Sequence, residues 1–393
     1  MPPSGTLAVG QTLVIRFPRR LHIVQSGETL PSIAAAYGTT VRDLWRNNWF
    51  LGGNFLLLPG QTLVISYYDD KLGPALINGY AYPDIAPSLL SAQLPYLSSL
   101  APFTYGITAA GSLLPLDDDA LLSAARQRNV MPVMHLSTLT EDGRFDTGRA
   151  ESVLSNADMQ NQLIGEVMQT VLRRGYAGVD VDFEYLPGTL AAAYAAFLAR
   201  LRRLLGAHGL FLWAALAPKT SSQQRGLLYE GHSYPAVGAA VDGVLLMTYE
   251  WGYTYGPPMA VAPINNIRAV LDYAVTEIPP QKILLGVPNY GYDWPLPFVQ
   301  GQTRARSISN QQAIDLAIQY HIAIQYDETA QSPFFHYTAE DGVVHEVWFE
   351  DARSLSAKLR LIAEYGFLGA GVWNLMRPFS QIWLLLDALY HIE

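Results

Sequence analysis

The 393-residue sequence contains no cysteine, which excludes disulfide bonds, thiolate zinc sites and a cysteine nucleophile. Charged residues make up only 15%, the formal net charge is -9, and no lysine and arginine cluster offers a face to nucleic acid or an anionic membrane. No apolar run approaches the roughly 18 residues of a membrane span, and residues 1–20 lack the apolar core of a signal peptide. We therefore expect no nucleic-acid partner, no membrane partner and no signal peptide. The lack of cysteine suits an oxidising, extracytoplasmic setting.

The sequence is rich in hydrophobic residues, which make up 50% of the chain and suffice for a sizeable core. Its length suits one large domain and one small domain, and we expect a monomer. Eight Trp and 23 Tyr provide many aromatic rings. Sugar-binding clefts use such rings, but so do ordinary cores, so their number alone does not indicate a function.

The hexapeptide GQTLVI occurs twice, at 10–15 and at 60–65, which indicates a repeated module. Around the second copy the sequence predicts a strand, a helix, a second helix and a closing strand. Thr29 is placed to cap the first helix, Gly38 to end it and Thr40 to cap the second.

The stretch HIVQSGETLPSIAAAYGTTVRDLWRNN, followed by LLPGQTLVI, resembles a LysM module occupying 20–67. LysM modules bind N-acetylglucosamine polymers such as peptidoglycan and chitin in a shallow groove between two loops. A structural appendage that no longer binds glycan is the alternative. Residues 1–19 resemble the remnant of a preceding copy. The resemblance implies a groove formed by Gly27, Glu28, Thr29, Leu30, Asn54, Phe55 and Leu56.

From about residue 70, short apolar runs alternate with helix-length amphipathic stretches, as in a parallel sheet covered by helices. Eight such units over 70–393 predict a (β/α)8 TIM barrel, an α/β fold. A doubly wound open sheet is the alternative, although no glycine-rich phosphate turn follows the first strand. The interval before the last strand predicts a small α+β insertion at about 298–347. The candidate strands are 75–82, 101–108, 130–136, 178–184, 210–217, 243–249, 282–290 and 369–375.

The segment GVDVDFEY places Asp180, Asp182 and Glu184 on one face of a strand, because side chains alternate along extended chains. Crowded carboxyl groups in a poorly hydrated site have raised pKa values, so one of the three should hold a proton near neutrality. Glu184, nearest the cleft, is placed to act as general acid. Asp182 can stabilise positive charge, and Asp180 can share a proton with it. A solvated acidic face is the alternative, which the apolar flanks disfavour.

Four motifs in order resemble glycoside hydrolase family 18, the family of chitinases and endo-β-N-acetylglucosaminidases. AGVDVDFEY resembles its DGxDxDxE signature, MTYEW resembles M-x-Y-D, GVPNYG resembles GxPxYG, and GVWNL carries Trp373 at the position of the floor tryptophan. The family retains anomeric configuration without a protein nucleophile, because the substrate's N-acetyl oxygen forms an oxazolinium ion.

The resemblance implies a role for each matched residue. Glu184 would act as acid and then base, and Asp182 would orient the N-acetyl group. Tyr249 would hydrogen-bond the acetyl carbonyl, Trp373 would stack beneath the sugar, and Asp180 would complete the carboxylate relay. Met247, Tyr290, Glu250 and Trp251 are further candidates for substrate binding.

The chain departs from the family pattern at two positions. Ala177 stands where the family has its first Asp, which shortens the relay. Glu250 replaces the Asp of M-x-Y-D and reaches about one methylene further. Neither change removes the acid.

A LysM module before such a barrel resembles bacterial spore-cortex-lytic and germination glycosidases. This implies cleavage of β-1,4 linkages after N-acetylglucosamine in peptidoglycan, in the spore or the cell wall. A chitinase or an endo-β-N-acetylglucosaminidase is the alternative, and a catalytically silent lectin is another, although lectins commonly lose the acid. We expect neither a metal ion nor a cofactor, because no HExxH or paired histidine spacing occurs.

Overall fold

The computed structural model describes residues 5–140 and 144–393 of the chain. The amino-terminal unit contains two strands that pair antiparallel, with two helices between them in the sequence. Its elements are β1 Pro18–Ile23, α1 Leu30–Tyr37, α2 Val41–Asn47 and β2 Thr62–Tyr67. Thr29 and Thr40 cap the helices, each accepting a hydrogen bond from the third helical residue. Gly38 ends α1 with a φ of 63°. The predicted LysM arrangement of strand, helix, helix and strand is confirmed.

The two GQTLVI copies have different structures. In the second copy Leu63 is fully buried, whereas its counterpart Leu13 is 43% exposed and Ile15 is 75% exposed. Residues 5–17 form no strand and instead lie against the following domain, where the Ile324 N–H donates to the Val9 carbonyl at 2.8 Å. Residues 1–4 of the expected LysM remnant lie outside the described residues.

Eight parallel strands follow, and seven of them lie largely where the sequence predicts them, whereas the second, Ser99–Pro102, overlaps the expected 101–108 by only two residues. The eight strands close into a barrel because the last strand pairs with the first, with Ala370 opposite Ile77. The predicted (β/α)8 fold is therefore confirmed and the open sheet is excluded. In chain order the elements of the first half are β3 Gly73–Ala81, α3 Pro87–Gln93, β4 Ser99–Pro102, β5 Gly106–Ile107, β6 Leu113–Leu114, α4 Asp119–Gln127, β7 Met131–Ser137, α5 Thr147–Ser155, α6 Ala157–Arg174, β8 Gly178–Asp182 and α7 Ala191–Gly206.

The second half of the barrel contains an inserted lobe. The first strand of the lobe begins at Gly291, ahead of the expected start at 298. The lobe forms a five-stranded antiparallel sheet in the spatial order Arg306–Ile308, Gly291–Pro295, Val344–Trp348, Ser332–Thr338 and Gln325–Asp327. The elements are β9 Phe211–Leu216, α8 Leu227–Glu230, α9 Tyr234–Ala240, β10 Gly243–Leu246, α10 Ile264–Glu277, β11 Ile283–Pro288, β12 Gly291–Pro295, β13 Arg306–Ile308, α11 Asn310–Gln319, β14 Gln325–Asp327, β15 Ser332–Thr338, β16 Val344–Trp348, α12 Ala352–Tyr365, β17 Gly369–Trp373, α13 Ser380–Leu389 and β18 Tyr390–Ile392.

Two apolar cores hold the barrel together. One lies between the strands and the surrounding helices, where the amphipathic helices bury their apolar faces. The other fills the barrel interior with large side chains such as Trp213, Leu245 and Leu284, all of them buried. The interior of the barrel is thus filled with side chains and does not form an open pore.

The LysM unit is docked at the amino-terminal ends of the barrel strands. Arg42 and Arg46 of α2 both donate to the Pro95 carbonyl, at 2.9 and 2.7 Å, just before β4 begins. The Arg128 guanidinium, just before β7, donates to the Gly53 carbonyl at 2.6 Å. Among the described residues, no helix is long and apolar enough to cross a membrane.

Candidate active site

The acidic residues of β8 point into the barrel interior and rise toward its carboxyl-terminal mouth. Asp180 is fully buried and Asp182 is 5% exposed. Glu184 comes two residues after the strand ends and is partly buried. Asp182 and Glu184 line a cavity of about 760 Å³ that opens at the mouth. The expected functional face of this strand is therefore at a cleft and not in bulk solvent.

All three carboxyl groups have raised pKa values, chiefly because burial disfavours their charged forms. Burial raises the pKa of Asp180 to about 6, against a hydrogen bond from Tyr80 that lowers it. Burial and the negative charges of Glu184 and Asp180 raise the pKa of Asp182 well above its usual value. Burial, assisted by the charge of Glu250, raises the pKa of Glu184 to about 7. Glu184 can thus carry a proton near neutrality, as a general acid must.

The lower carboxylates have different partners from those the sequence suggests. The Tyr80 hydroxyl on β3 donates to Asp180 Oδ2 at 2.7 Å. The Oδ1 atoms of Asp180 and Asp182 are both buried and, among the described residues, neither has a hydrogen-bond partner. The expected shared proton between the two therefore has no hydrogen bond in this conformation. The observed partner of Asp180 is therefore the phenol of Tyr80 on β3.

Two buried histidines lie next to the acidic strand. His135 Nε2 on β7 is 3.7 Å from Asp182 Oδ2. His232 Nδ1 accepts from the Ala217 N–H at 2.9 Å, so its Nε2 carries the proton and donates to the Phe183 carbonyl, also at 2.9 Å. Burial lowers the pKa of His135 to about 3 and that of His232 to about 4, so both rings are neutral at physiological pH.

Tyr249 and Glu250 follow β10 and form the wall of the cavity beside Glu184. Burial and the neighbouring carboxylates raise the pKa of Tyr249 well above its usual value, so its phenol remains a hydrogen-bond donor. Glu250 has a φ of 67° and accepts hydrogen bonds from Tyr290 and Tyr292. Tyr290 is buried behind Glu250 and is outside the cavity wall, so it reaches a substrate only through that carboxylate.

Trp373, at the end of β17, lies across the bottom of the cavity. Its ring contacts Phe103 edge-on with centroids 4.7 Å apart, and Tyr80 with centroids 5.8 Å apart. Met247 and Trp251 also line the cavity, at the edges of the interior core and of the loop after β10. The predicted residues that line the cavity thus come from three strands, β8, β10 and β17, and meet at one mouth, as expected for a barrel.

Several cavity residues have no counterpart in the motifs that the sequence presents. Tyr80 and His135 lie in strands that the sequence indicates only as apolar runs. In each case the sequence signal is a polar group at a strand position that faces the barrel interior. The residues that line the cavity but were not predicted are Tyr80, Tyr82, Phe103, His135, Leu139, Phe145, Tyr185, Ala215, Pro218, Leu228, Tyr229, Leu245 and Tyr253.

The predicted LysM groove lies on two surface loops. Leu56 is 76% exposed and Phe55 is 57% exposed, whereas Leu30 is fully buried in the LysM core and can contribute only backbone. Glu28 accepts from the Gln25 N–H at 2.7 Å, and its other neighbour is His22 Nε2 at 2.7 Å, which fixes the first loop. Gly27, Thr29 and Asn54 are exposed.

Together, the closed barrel and the acidic strand at its mouth define a sugar-cleaving enzyme of the TIM-barrel class, and comparisons with known proteins agree. A cortical fragment-lytic enzyme of Bacillus subtilis is 40% identical over 426 residues, covering 95% of this chain and 98% of the relative. The spore cortex-lytic enzyme SleL of Bacillus megaterium superposes with a TM-score of 0.82 at 37% identity, covering 100% of this chain and 91% of that one. A chitinase from Chromobacterium violaceum has a TM-score of 0.74 at 27% identity, covering 80% of this chain and 98% of its own.

The family model for glycosyl hydrolases family 18 matches residues 143–377, and the LysM model matches residues 22–66. The chain belongs to glycosyl hydrolases family 18 and carries an amino-terminal LysM domain. Both resemblances found in the sequence are confirmed.

Proposed function

We propose that this protein is a retaining glycosidase that uses the N-acetyl group of its substrate as nucleophile. It cleaves β-1,4 linkages after N-acetylglucosamine in peptidoglycan. The observation that supports this most is the position of Glu184, with its pKa raised to about 7, in one cavity wall with Asp182 and Tyr249. The cavity therefore holds a proton donor, a carboxylate and a phenol for a single acetamido sugar.

The reaction begins when protonated Glu184 donates to the oxygen of the departing sugar. The carbonyl oxygen of the substrate's acetamido group attacks C1 on the opposite face, and the glycosidic bond breaks as the oxazolinium ring forms. Asp182 accepts a hydrogen bond from the acetamido N–H and stabilises the positive charge. Tyr249 donates to the acetyl oxygen and Trp373 stacks below the ring. Glu184, now ionised, activates the water that opens the oxazolinium ion with retention.

The proposed polymer follows from the LysM domain and from the relatives. LysM modules bind N-acetylglucosamine polymers, and the relatives are called cortical fragment-lytic and spore cortex-lytic enzymes. We extend that substrate class to this chain and place its action outside the cytoplasm, in the spore cortex or the cell wall. The LysM loops at Gly27–Leu30 and Asn54–Leu56 hold the glycan.

Digestion of purified cortex peptidoglycan tests the assigned bond. The products are reduced with borohydride and analysed by mass spectrometry, and we expect reduced N-acetylglucosamine at the new ends. Muramic acid at those ends would contradict the proposal, and activity on chitin oligomers alone would favour a chitinase. The Glu184→Gln variant, run alongside, should be slower by about 10²- to 10⁴-fold.

A further inference from the structure

His135 is a buried titratable group beside the carboxyl groups of the acidic strand, and the mechanism above gives it no task. It lies opposite Asp180 in the parallel register of β7 and β8, so both side chains point into the barrel. The ring is 2% exposed and borders the cavity. A polar ring at this depth needs hydrogen-bond partners, because burying it without them is costly.

The orientation of the His135 ring is fixed on three sides. Thr104 Oγ1 lies 2.7 Å from Nδ1. The Phe103 ring lies at 4.7 Å between centroids and the Tyr80 ring at 5.6 Å, edge-on. These contacts leave Nε2 directed at Asp182, 3.7 Å from Oδ2.

Asp182 has no side-chain hydrogen bond among the described residues. Its Oδ1 is buried and, across the residues that the structure describes, has no hydrogen-bond partner. A separation of 3.7 Å is too long for a hydrogen bond, but catalytic contacts are often long in an empty site and tighten when substrate binds. A small rotation of the Asp182 side chain would bring it to bonding distance from Nε2.

We propose that His135 is a positioning residue for Asp182. We assign the single proton of the neutral imidazole to Nε2, so that Nδ1 accepts from the Thr104 hydroxyl and the Nε2–H donates to the Asp182 carboxylate. The inference rests on the proposed function, since Asp182 must hold a fixed orientation to receive the acetamido group.

The groups around His135 are consistent with this assignment. Asp180 and Asp182 face it from β8, Tyr80 from β3, and Thr104 from the segment after β4. Tyr80 is already committed to Asp180, at 2.7 Å. Nε2 is therefore available as a donor to Asp182.

Two substitutions separate hydrogen bonding from packing. His135→Phe keeps a ring between Phe103 and Tyr80 but has no donor, whereas His135→Gln retains an amide N–H. On a soluble chromogenic N-acetylglucosamine oligomer we expect His135→Phe to lower kcat by about 10- to 100-fold, the factor for losing a hydrogen bond to a charged group. KM should stay within about threefold, and His135→Gln should recover much of kcat. Met134→Ala, on the opposite face of β7, serves as a control for lost core stability.

A second measurement does not depend on cleavage. Carboxyl-¹³C NMR of labelled aspartate, with Asp182→Asn for assignment, follows the titration of Asp182. Loss of the donor should raise the Asp182 midpoint in His135→Phe and leave it near wild type in His135→Gln and Met134→Ala. An unchanged midpoint in folded His135→Phe would overturn the inference, as would an unchanged kcat. Absence of any N-acetylglucosamine release by the wild type would instead contradict the proposed function, while the NMR result would still decide the role of His135.

Discussion

The proposed chemistry requires Glu184 to be protonated, and folding favours this protonated form. Its pKa rises from a usual value of 4.5 to about 7 on folding. The folded state therefore binds more protons than the unfolded state between these values, and its stability falls as the pH rises through that window. The same burial that keeps a proton on the acid thus destabilises the protein once that proton is lost.

The Glu184→Gln variant should show this directly. Glutamine is neutral at every pH, so the variant should match the wild type in stability near pH 4 and exceed it above pH 7. Thermal unfolding at a series of pH values measures the difference. Glu151→Gln, at an exposed position, should give no such pH-dependent gain. A difference in stability that did not vary with pH would mean that Glu184 titrates normally in the folded state.

Glu250 should set the alkaline limit of activity. Its negative charge helps to raise the pKa of Glu184 to about 7, and the acid must be protonated to act. Activity on a soluble oligomer should therefore fall as the pH rises through about 7. In Glu250→Gln that fall should begin at lower pH, because one like charge is removed. Measured kcat profiles of both proteins test this, and Glu346→Gln, whose side chain is outside the cavity, should leave the limit in place.

The acidic strand could be found from sequence because alternation put three carboxyl groups on one face between apolar neighbours. Tyr80 and His135 could not, because a single tyrosine or histidine in an apolar run is usually an ordinary core residue. Their function depends on the pairing of β7 with β8 and on the closure of the barrel, which brings Tyr80 of β3 to Asp180. The missing hydrogen bond between Asp180 and Asp182 likewise depends on side-chain rotation.

Secondary-structure elements show the same division between local and long-range information. Seven of the eight barrel strands could be placed from the sequence, because fully buried parallel strands are short apolar runs between turns. The two GQTLVI copies show the limit of such patterns. Identical sequence forms strand β2 where β1 can pair with it and forms no strand at 10–15, where residues 5–17 lie along another domain.

The inserted lobe is attached to the barrel by a buried ion pair. Lys358 Nζ of α12 lies 2.6 Å from Glu350 Oε2, and both side chains are at most 1% exposed. Lys358 also donates to Ser332 Oγ of β15 at 3.3 Å. The pair therefore joins a barrel helix to the end of the lobe sheet.

Removing one member of this pair should be far more harmful than removing both. Lys358→Met should lower the free energy of unfolding by about 3–5 kcal/mol, because it leaves Glu350 buried without its cation. Combining it with Glu350→Leu should recover most of that loss. Urea unfolding measures both variants. The exposed pair Arg268–Glu364 provides the control, since Arg268→Met should change stability by less than about 1 kcal/mol. Equal losses in the single and double variants would show that packing, and not charge, dominates.

The two proposed sugar-binding sites lie on opposite sides of the barrel. The LysM domain contacts segments that precede the strands, at Pro95 and Arg128, whereas Glu184, Tyr249 and Trp373 lie at or beyond the strand ends. A glycan held by the LysM groove therefore does not continue directly into the catalytic cavity. We therefore propose that the LysM domain acts as a tether that raises the local concentration of polymer, and not as an extension of the cleft.

If the LysM domain is a tether, its effect on the rate of cleavage should depend on the size of the substrate. Replacing two exposed groove residues, with Asn54→Ala and Leu56→Asp, should weaken binding to insoluble peptidoglycan and slow its digestion. The same variant should cleave a soluble oligomer at the wild-type rate, because the cavity on the other face is untouched. Leu58→Asp, which is also exposed but lies outside the proposed groove, should alter neither activity. Sedimentation with the polymer and parallel assays on both substrates measure these effects. An equal loss of activity on the soluble oligomer would contradict the tether. It would mean that one glycan chain passes around the barrel and occupies both sites.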